Sequence, residues 1–202
     1  MARPRTFDED DVLERALQAF WARGYEGTSM ADIEEATGLG RASIYAAFGD
    51  KEGLFVKVRE RFMRRYDPLA DALGSGPSVR QAFEQALEVW FGLNCSGPGP
   101  KGCLMQLASQ SGATELPRVQ AALGENVART EAMVMRALER AKAAGELPPS
   151  ASPTLLARFF SVGLQGLSSA ARGGMSKREL RPVAHMLVQS IFGPPPSSSL
   201  SR

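Results

Sequence analysis

Arg41, Ala42, Ser43, Tyr45 and Ala46 fall on the outer face of the helical stretch RASIYAAF, whose inner face carries Ile44 and Phe48. Those outer side chains suit a nucleic acid. Arginine grips guanine through two hydrogen bonds, serine bonds a base edge or a phosphate, and alanine offers its methyl to thymine. The stretch TSMADIEEATGLGRASIYAAF (28–48) supplies the frame, with a sharp turn at Gly38 and with Ile33 and Ala36 facing Ile44 and Leu39. Two short helices so joined can lay the second in a DNA major groove while the first braces it across the backbone. The same pattern also suits three small helices of an ordinary helical domain, with Tyr45 half-buried.

Other chemistry is thin. Two cysteines, Cys95 and Cys103, and one histidine, His185, cannot complete a zinc site from Cys and His alone. One histidine on a helix of packing residues gives no nucleophile–base pair. No glycine-rich phosphate loop follows a strand, because no strand is expected. The acidic pairs Asp10/Asp11 and Glu34/Glu35 are sequence neighbours, which a helix splays apart. No enzyme, metal or cofactor is expected. Cys103, in KGCLMQ, follows a glycine-rich turn and falls near a helix start, where a thiolate is favoured. An inert buried thiol is the competing reading, and Cys95 could serve as a resolving partner only if the turn folds back.

Helices must position these groups, and almost the whole chain of 202 residues reads at a period near 3.6. The fold class expected is all-α. A first helix starts at Asp8 and ends at Gly24. Thr28 or Ser29 caps a second, with Asp32 completing a capping box. Asp50 caps a fourth that should run to about Asp71. LGSGPS (73–78) breaks the pattern, and VRQAFEQALEVWFGL resumes it. Pro117 suits the first turn of a long helix reaching Ala144, and Ser152–Pro153 opens another. The opening MARPRTFDED is charged from its third residue, and no run of eighteen apolar residues occurs, so a cytoplasmic protein without a membrane span is expected.

Net charge is +2, and residues 1–66 hold eleven Lys/Arg against twelve Asp/Glu, so overall charge does not single out DNA. Further along, residues 154–172 carry two apolar stripes. One is Leu156, Phe160, Gly163 and Leu167; the other is Leu155, Phe159, Val162 and Gly166. A helix apolar on two faces needs two partners. Residues 180–191 add Leu180, Val183, Ala184, Leu187, Val188 and Ile191, and the small residues Ala157, Ser161, Gly163 and Gly166 permit close approach. A homodimer seam is therefore expected at Leu156, Phe160, Gly163, Leu167, Val183, Leu187 and Ile191, with two core helices of a monomer as the alternative. A two-fold dimer suits a near-palindromic duplex, because it sets two reading helices about one DNA turn apart.

From Phe7 to Tyr66, and above all in FWARGYEGTSMADIEEATGLGRASIYAAFGDKEGLF, the chain resembles the DNA-binding domain of the TetR (tetracycline-repressor-like) family of bacterial transcriptional regulators. Phe20, Gly24, Thr28, Ile33, Gly38, Ile44, Tyr45, Phe48, Lys51, Leu54 and Phe55 carry the likeness. The resemblance implies that residues 1–50 bind DNA, 51–193 bind an effector and dimerise through the final two helices, and 194–202 form a disordered tail. It implies phosphate contacts from Thr28, Ser29, Tyr45 and Lys51, and base contacts from Arg41, Ala42 and Ser43. Arg3 and Arg5 could extend the grip as an arm. Glu34 departs from the small residue common in the family, and Gly40 from its usual hydroxyl cap.

Between the two ends, the resemblance implies a small-molecule pocket. Phe62, Met63, Tyr66, Trp90, Phe91, Cys103, Met105, Arg129 and Met133 are the expected lining, with Gln106, Asn126, Gln165 and His185 as further polar candidates. The function so implied is ligand-responsive repression, operator DNA being released when the effector binds. The alternatives are a cysteine-based sensor of oxidants or electrophiles, and a helical small-molecule-binding protein with weak DNA binding.

Overall fold

The computed structural model describes residues 7–97, 99–111 and 115–193, and among them it is built of α-helices with no strand. The arm containing Arg3 and Arg5 and the tail at 194–202 lie outside the described residues. The helices are α1 (Glu9–Arg23), α2 (Met30–Thr37), α3 (Arg41–Phe48), α4 (Lys51–Arg64), α5 (Asp67–Gly74), α6 (Val79–Cys95), α7 (Leu104–Ser109), α8 (Pro117–Ala143), α9 (Pro153–Arg172) and α10 (Lys177–Phe192).

Their starts follow local chemistry. The Asp8 carboxylate accepts from the Asp10 and Asp11 amides, Asp50 from Gly53, and Ser152 from Leu155. These side chains satisfy amides that a helix leaves unpaired in its first turn. Ser29, not Thr28, caps α2, and Asp32 closes the capping box. Gly38 ends α2 in the left-handed region at φ 72°, a conformation that a side chain would strain. One expected boundary is corrected. Helix α4 stops at Arg64 instead of running to Asp71, and α5 restarts around Pro68. Proline lacks the amide, and its ring would strike the carbonyl four residues back, here that of Arg64.

Two hydrophobic cores result. The first joins α1–α4 to α7 and the start of α8, through Leu17, Phe20, Ile33, Ile44, Leu54, Phe55, Val58, Leu104 and Val119. The second joins α5, α6, α8, α9 and α10 around Phe83, Leu87, Phe91, Val134, Leu138, Phe160 and Val188. Long helix α8 belongs to both. Packing against α9 along much of its length, it is the beam between them.

Candidate nucleic-acid interface and ligand cavity

Helix α3 stands out from the first core. Ile44 is fully buried, while Arg41, Ala42, Ser43, Tyr45 and Ala46 are exposed, with Tyr45 at 43%. One anchor beneath them differs from expectation: Ala36 is only half-buried, and Thr37 takes the buried position. Its hydroxyl donates to the Ile33 carbonyl at 2.7 Å. Glu34 has a partner across the turn, its carboxylate accepting from Arg41 Nε at 2.8 Å. That contact engages Nε, and the Arg41 side chain remains 54% exposed.

The expected phosphate contacts fare differently. Thr28 is fully buried, and its hydroxyl donates to the Gly24 carbonyl at 2.7 Å, so it cannot reach a phosphate without breaking the turn. The Ser29 hydroxyl is committed to Asp32, donating at 2.6 Å, and Asp32 is also paired with Arg23. What α2 keeps for an anion is its own N-terminus. Lys51 opens α4 with its ammonium 4.3 Å above the Tyr25 ring, and burial draws its pKa down. The Tyr25 phenol is pushed up to about 12, chiefly by burial, with Glu52, Glu26 and Asp50 adding to it.

A cavity of about 170 Å³ opens between α4, α5, α6, α7, α8 and α9. Of the expected lining residues, Met63, Tyr66, Trp90, Cys103, Met105, Arg129 and Met133 border it. Phe62 and Phe91 do not. Phe62 packs edge-on against Trp21 in the first core, and Phe91 against Trp90 in the second, under Lys177 and Arg181. Gln106, Asn126 and Gln165 border the cavity, whereas His185 does not. Leu69, Leu123, Thr130, Ser161, Leu164 and Ser168 also line it, and sequence reasoning missed them as ligand contacts. A signal existed in α9, where Ser161 and Ser168 interrupt its buried stripe.

Polar contacts organise the wall. The Tyr66 hydroxyl donates to Asn94 Oδ1 at 2.9 Å and meets the Cys103 sulfur. Cys103 occupies the position just before α7, and its amide donates to Ser168 Oγ at 2.7 Å. Burial pushes the Cys103 thiol up, outweighing the Met105 and Gln106 amides that favour a thiolate. Cys95 lies away from this wall, and burial raises its thiol as well.

The cavity is tied to the first core at two places. Glu52 of α4 accepts from the Arg118 and Val119 amides at 2.8 and 3.3 Å, capping the start of α8, while Arg118 reaches Asp50 at 2.7 Å. On the other side, Trp21 Nε1 donates to the Gly102 carbonyl at 2.9 Å, and Arg172 of α9 donates to the Trp21 carbonyl at 2.7 Å.

The expected seam needs a correction. Phe160, Leu167 and Ile191 are buried in the chain's own core, and Leu156 and Leu187 pack against it. A Cβ on Gly163 would come within 2.5 Å of Leu187 Cδ1, so Gly163 serves the packing of α9 on α10 within one chain. The exposed apolar residues are on the other stripe: Leu155 at 67%, Phe159 at 42% and Val162 at 65%, with Val183 and Met186 on α10. Of the seven expected seam residues, Val183 is exposed, Leu156, Gly163 and Leu187 are half-buried, and Phe160, Leu167 and Ile191 are buried.

Known proteins share this arrangement. Residues 12–58 match the family described as bacterial regulatory proteins, tetR family, and residues 81–187 match the tetracyclin repressor-like C-terminal domain. The chain is 35% identical over 186 residues to the HTH-type transcriptional repressor ComR of Escherichia coli, covering 90% of this chain and 88% of the relative. It is 26% identical over 192 residues to the E. coli repressor BdcR, covering 94% and 91% of the two chains. Among solved structures, a cysteine-substituted TetR family regulator, CifR, complexed with 26-bp double-strand operator DNA superposes with a TM-score of 0.86. That pair is 32% identical and covers 94% of this chain and all of the other.

Proposed function

The chain belongs to the tetR family of bacterial regulatory proteins, and on that premise we propose that it is a cytoplasmic, homodimeric transcriptional repressor that leaves its operator when a small molecule occupies the cavity. The observation that carries this reading is the geometry of α3: one buried anchor, Ile44, and an outer face of Arg41, Ala42, Ser43 and Tyr45 free to enter a groove. Arg41, held by Glu34, reads a base; Ala42 and Ser43 meet neighbouring base edges; Tyr45 and Lys51 hold phosphates on either side.

The dimer forms through the exposed stripe of α9, Leu155, Phe159 and Val162, with Val183 and Met186 of α10. Two such faces make a four-helix seam, which removes apolar surface that one chain leaves in water. Signal transfer follows the two ties. A ligand that spreads α8 from α9 pulls on Glu52 and Asp50 beside Lys51, and shifts Gly102 and Arg172 against Trp21. The two α3 helices then change separation, and one dimer no longer spans both half-sites. The coupling is reciprocal, so operator DNA weakens effector binding by the same factor.

A second reading, capture of an electrophile by Cys103, is favoured by the place of this residue in the cavity wall and opposed by the burial that keeps its thiol protonated. The test is a gel shift on DNA flanking the gene, with purified dimer. Replacing Arg41 by Ala should relax preference at one base position by about 1–3 kcal/mol, while Lys51→Ala weakens all sequences alike. Equal losses on every sequence for both variants, or ligand binding without any shifted fragment, would overturn the reading.

A further inference from the structure

Two polar atoms in the cavity wall lack hydrogen-bond partners among the described residues: Ser161 Oγ of α9 and Asn126 Oδ1 of α8. Ser161 is 3% exposed. A serine within a helix ordinarily donates to the carbonyl four residues back, and Ser161 makes no such bond. Buried polar groups without partners are uncommon and costly in folded proteins, and two on residues that line one cavity point to a group that arrives from outside.

We propose that the cavity takes a neutral molecule the size of a single ring that carries a hydroxyl, an alcohol or phenol, whose O–H donates to Asn126 Oδ1 while its oxygen accepts from Ser161. This rests on the effector reading above and names the chemistry of that effector. Size comes first. About 170 Å³ is close to the roughly 150 Å³ of an apolar protein cavity that holds benzene. Charge comes second. Among the described residues the one ionic group on the wall is Arg129, already paired with Asp67 at 2.7 Å, and burial holds Cys103 and Tyr66 in their neutral forms. Met63, Trp90, Met105, Leu123, Met133 and Leu164 make much of the wall, and Gln106 and Gln165 add uncharged amides, so a charged ligand meets no unpaired counter-charge in return for its lost water.

Hydrogen-bond matching decides among neutral ligands. A hydroxyl is donor and acceptor at once, which satisfies one carboxamide oxygen and one serine. A hydrocarbon leaves both unpaired. A ketone takes the Ser161 proton and leaves Asn126 Oδ1 bare, and a carboxylate sets its charge against that oxygen.

The experiment titrates purified dimer by calorimetry with phenol, toluene, cyclohexanol, methylcyclohexane, benzoate and benzylammonium, and runs a gel shift on the same samples. Phenol and cyclohexanol should bind about tenfold more tightly than their methyl counterparts, the factor expected of one well-made buried hydrogen bond. Ser161→Ala and Asn126→Leu should each remove one of the two bonds, weaken that preference and leave toluene binding unchanged or stronger. The two substitutions lie on different helices, so either one that folds carries the test. Equal binding of toluene and phenol, tighter binding of benzoate or benzylammonium, or a preference that either substitution leaves undiminished overturns the proposal. Operator DNA shifted by a protein that binds none of the six compounds overturns it too, and leaves the repressor reading standing. Phenol preference without any DNA shift does the reverse.

Discussion

Replacing Arg172 by Ala should separate the two halves of the molecule energetically. At the end of α9, its guanidinium donates to the Trp21 carbonyl at 2.7 Å, the Ala22 carbonyl at 2.8 Å and, at 3.4 Å, the Lys101 carbonyl. Trp21 and Ala22 lie in the last turn of α1, where carbonyls have no partner within the helix and carry the negative end of its dipole. Burial works against the charge and draws the Arg172 pKa down, so the bonds must offset a desolvation cost. Two short bonds to a charged donor would contribute about 3–6 kcal/mol if fully buried. The Ala22 contact faces solvent, and discounting for that leaves a loss of about 2 kcal/mol. Arg172→Lys, which keeps the charge but not the fork, should lose about half as much. The assay is urea unfolding followed by far-UV circular dichroism, at fixed protein concentration because a dimer unfolds in a concentration-dependent way. Arg172→Ala should broaden the transition toward two steps, with the core around Phe20 and Phe55 melting first. A variant within about 0.5 kcal/mol of the parent, with one sharp transition, would refute the reasoning.

Three further outcomes are expected. Val162→Glu, at a site 65% exposed in one chain, should leave the fold intact and yield monomers in sedimentation, because a seam would bury the charge unpaired; a dimer unchanged in mass would count against the α9 stripe. Gly102→Ala should cost about 3 kcal/mol in thermal unfolding, since φ there is +75° and the added Cβ would come within 2.6 Å of the Ser168 carbonyl oxygen; a loss under about 1 kcal/mol would contradict that geometry. Acid should also loosen the fold. Glu14 is raised by burial but held down on balance by hydrogen bonds from Arg61 and Gln18, while the Gly53 amide and Arg118 lower Asp50. Carboxylates lowered on folding stabilise fully above their ordinary values of 4.5 and 3.8, and that contribution drains as the pH falls through their folded values. The melting temperature should therefore hold as the pH falls to about 5 and decline below about 4; a decline beginning near neutrality would point elsewhere.

Much of this fold is written in local signals. Asp8, Ser29 with Asp32, Gly38, Asp50, Pro117 and Ser152 mark helix ends because capping chemistry acts over three or four residues, within reach of sequence reading. The break at Arg64 was harder, since a proline just past a strong apolar pattern can bend a helix or open the next one. The seam was ambiguous for a physical reason. Both stripes of α9 are apolar, and periodicity alone does not say which meets the chain's own core; the packing of Leu187 against Gly163 decides it. The cavity was half legible. Large side chains marked the region, yet Phe62 and Phe91 turn into the cores, and Ser161 reads in sequence as a small packing residue. Thr28 illustrates the same limit, because a hydroxyl at a helix start can cap, meet a phosphate or, as here, turn inward to Gly24.

The central claim is that paired α3 helices read a symmetric DNA site through Arg41 and its neighbours. Selection of bound fragments from a random duplex library, followed by sequencing, tests it most directly. The account predicts enrichment of one inverted repeat, with a single position in each half-site losing its base preference in Arg41→Ala. Enrichment of no common sequence, or of an asymmetric one indifferent to Arg41, would contradict it.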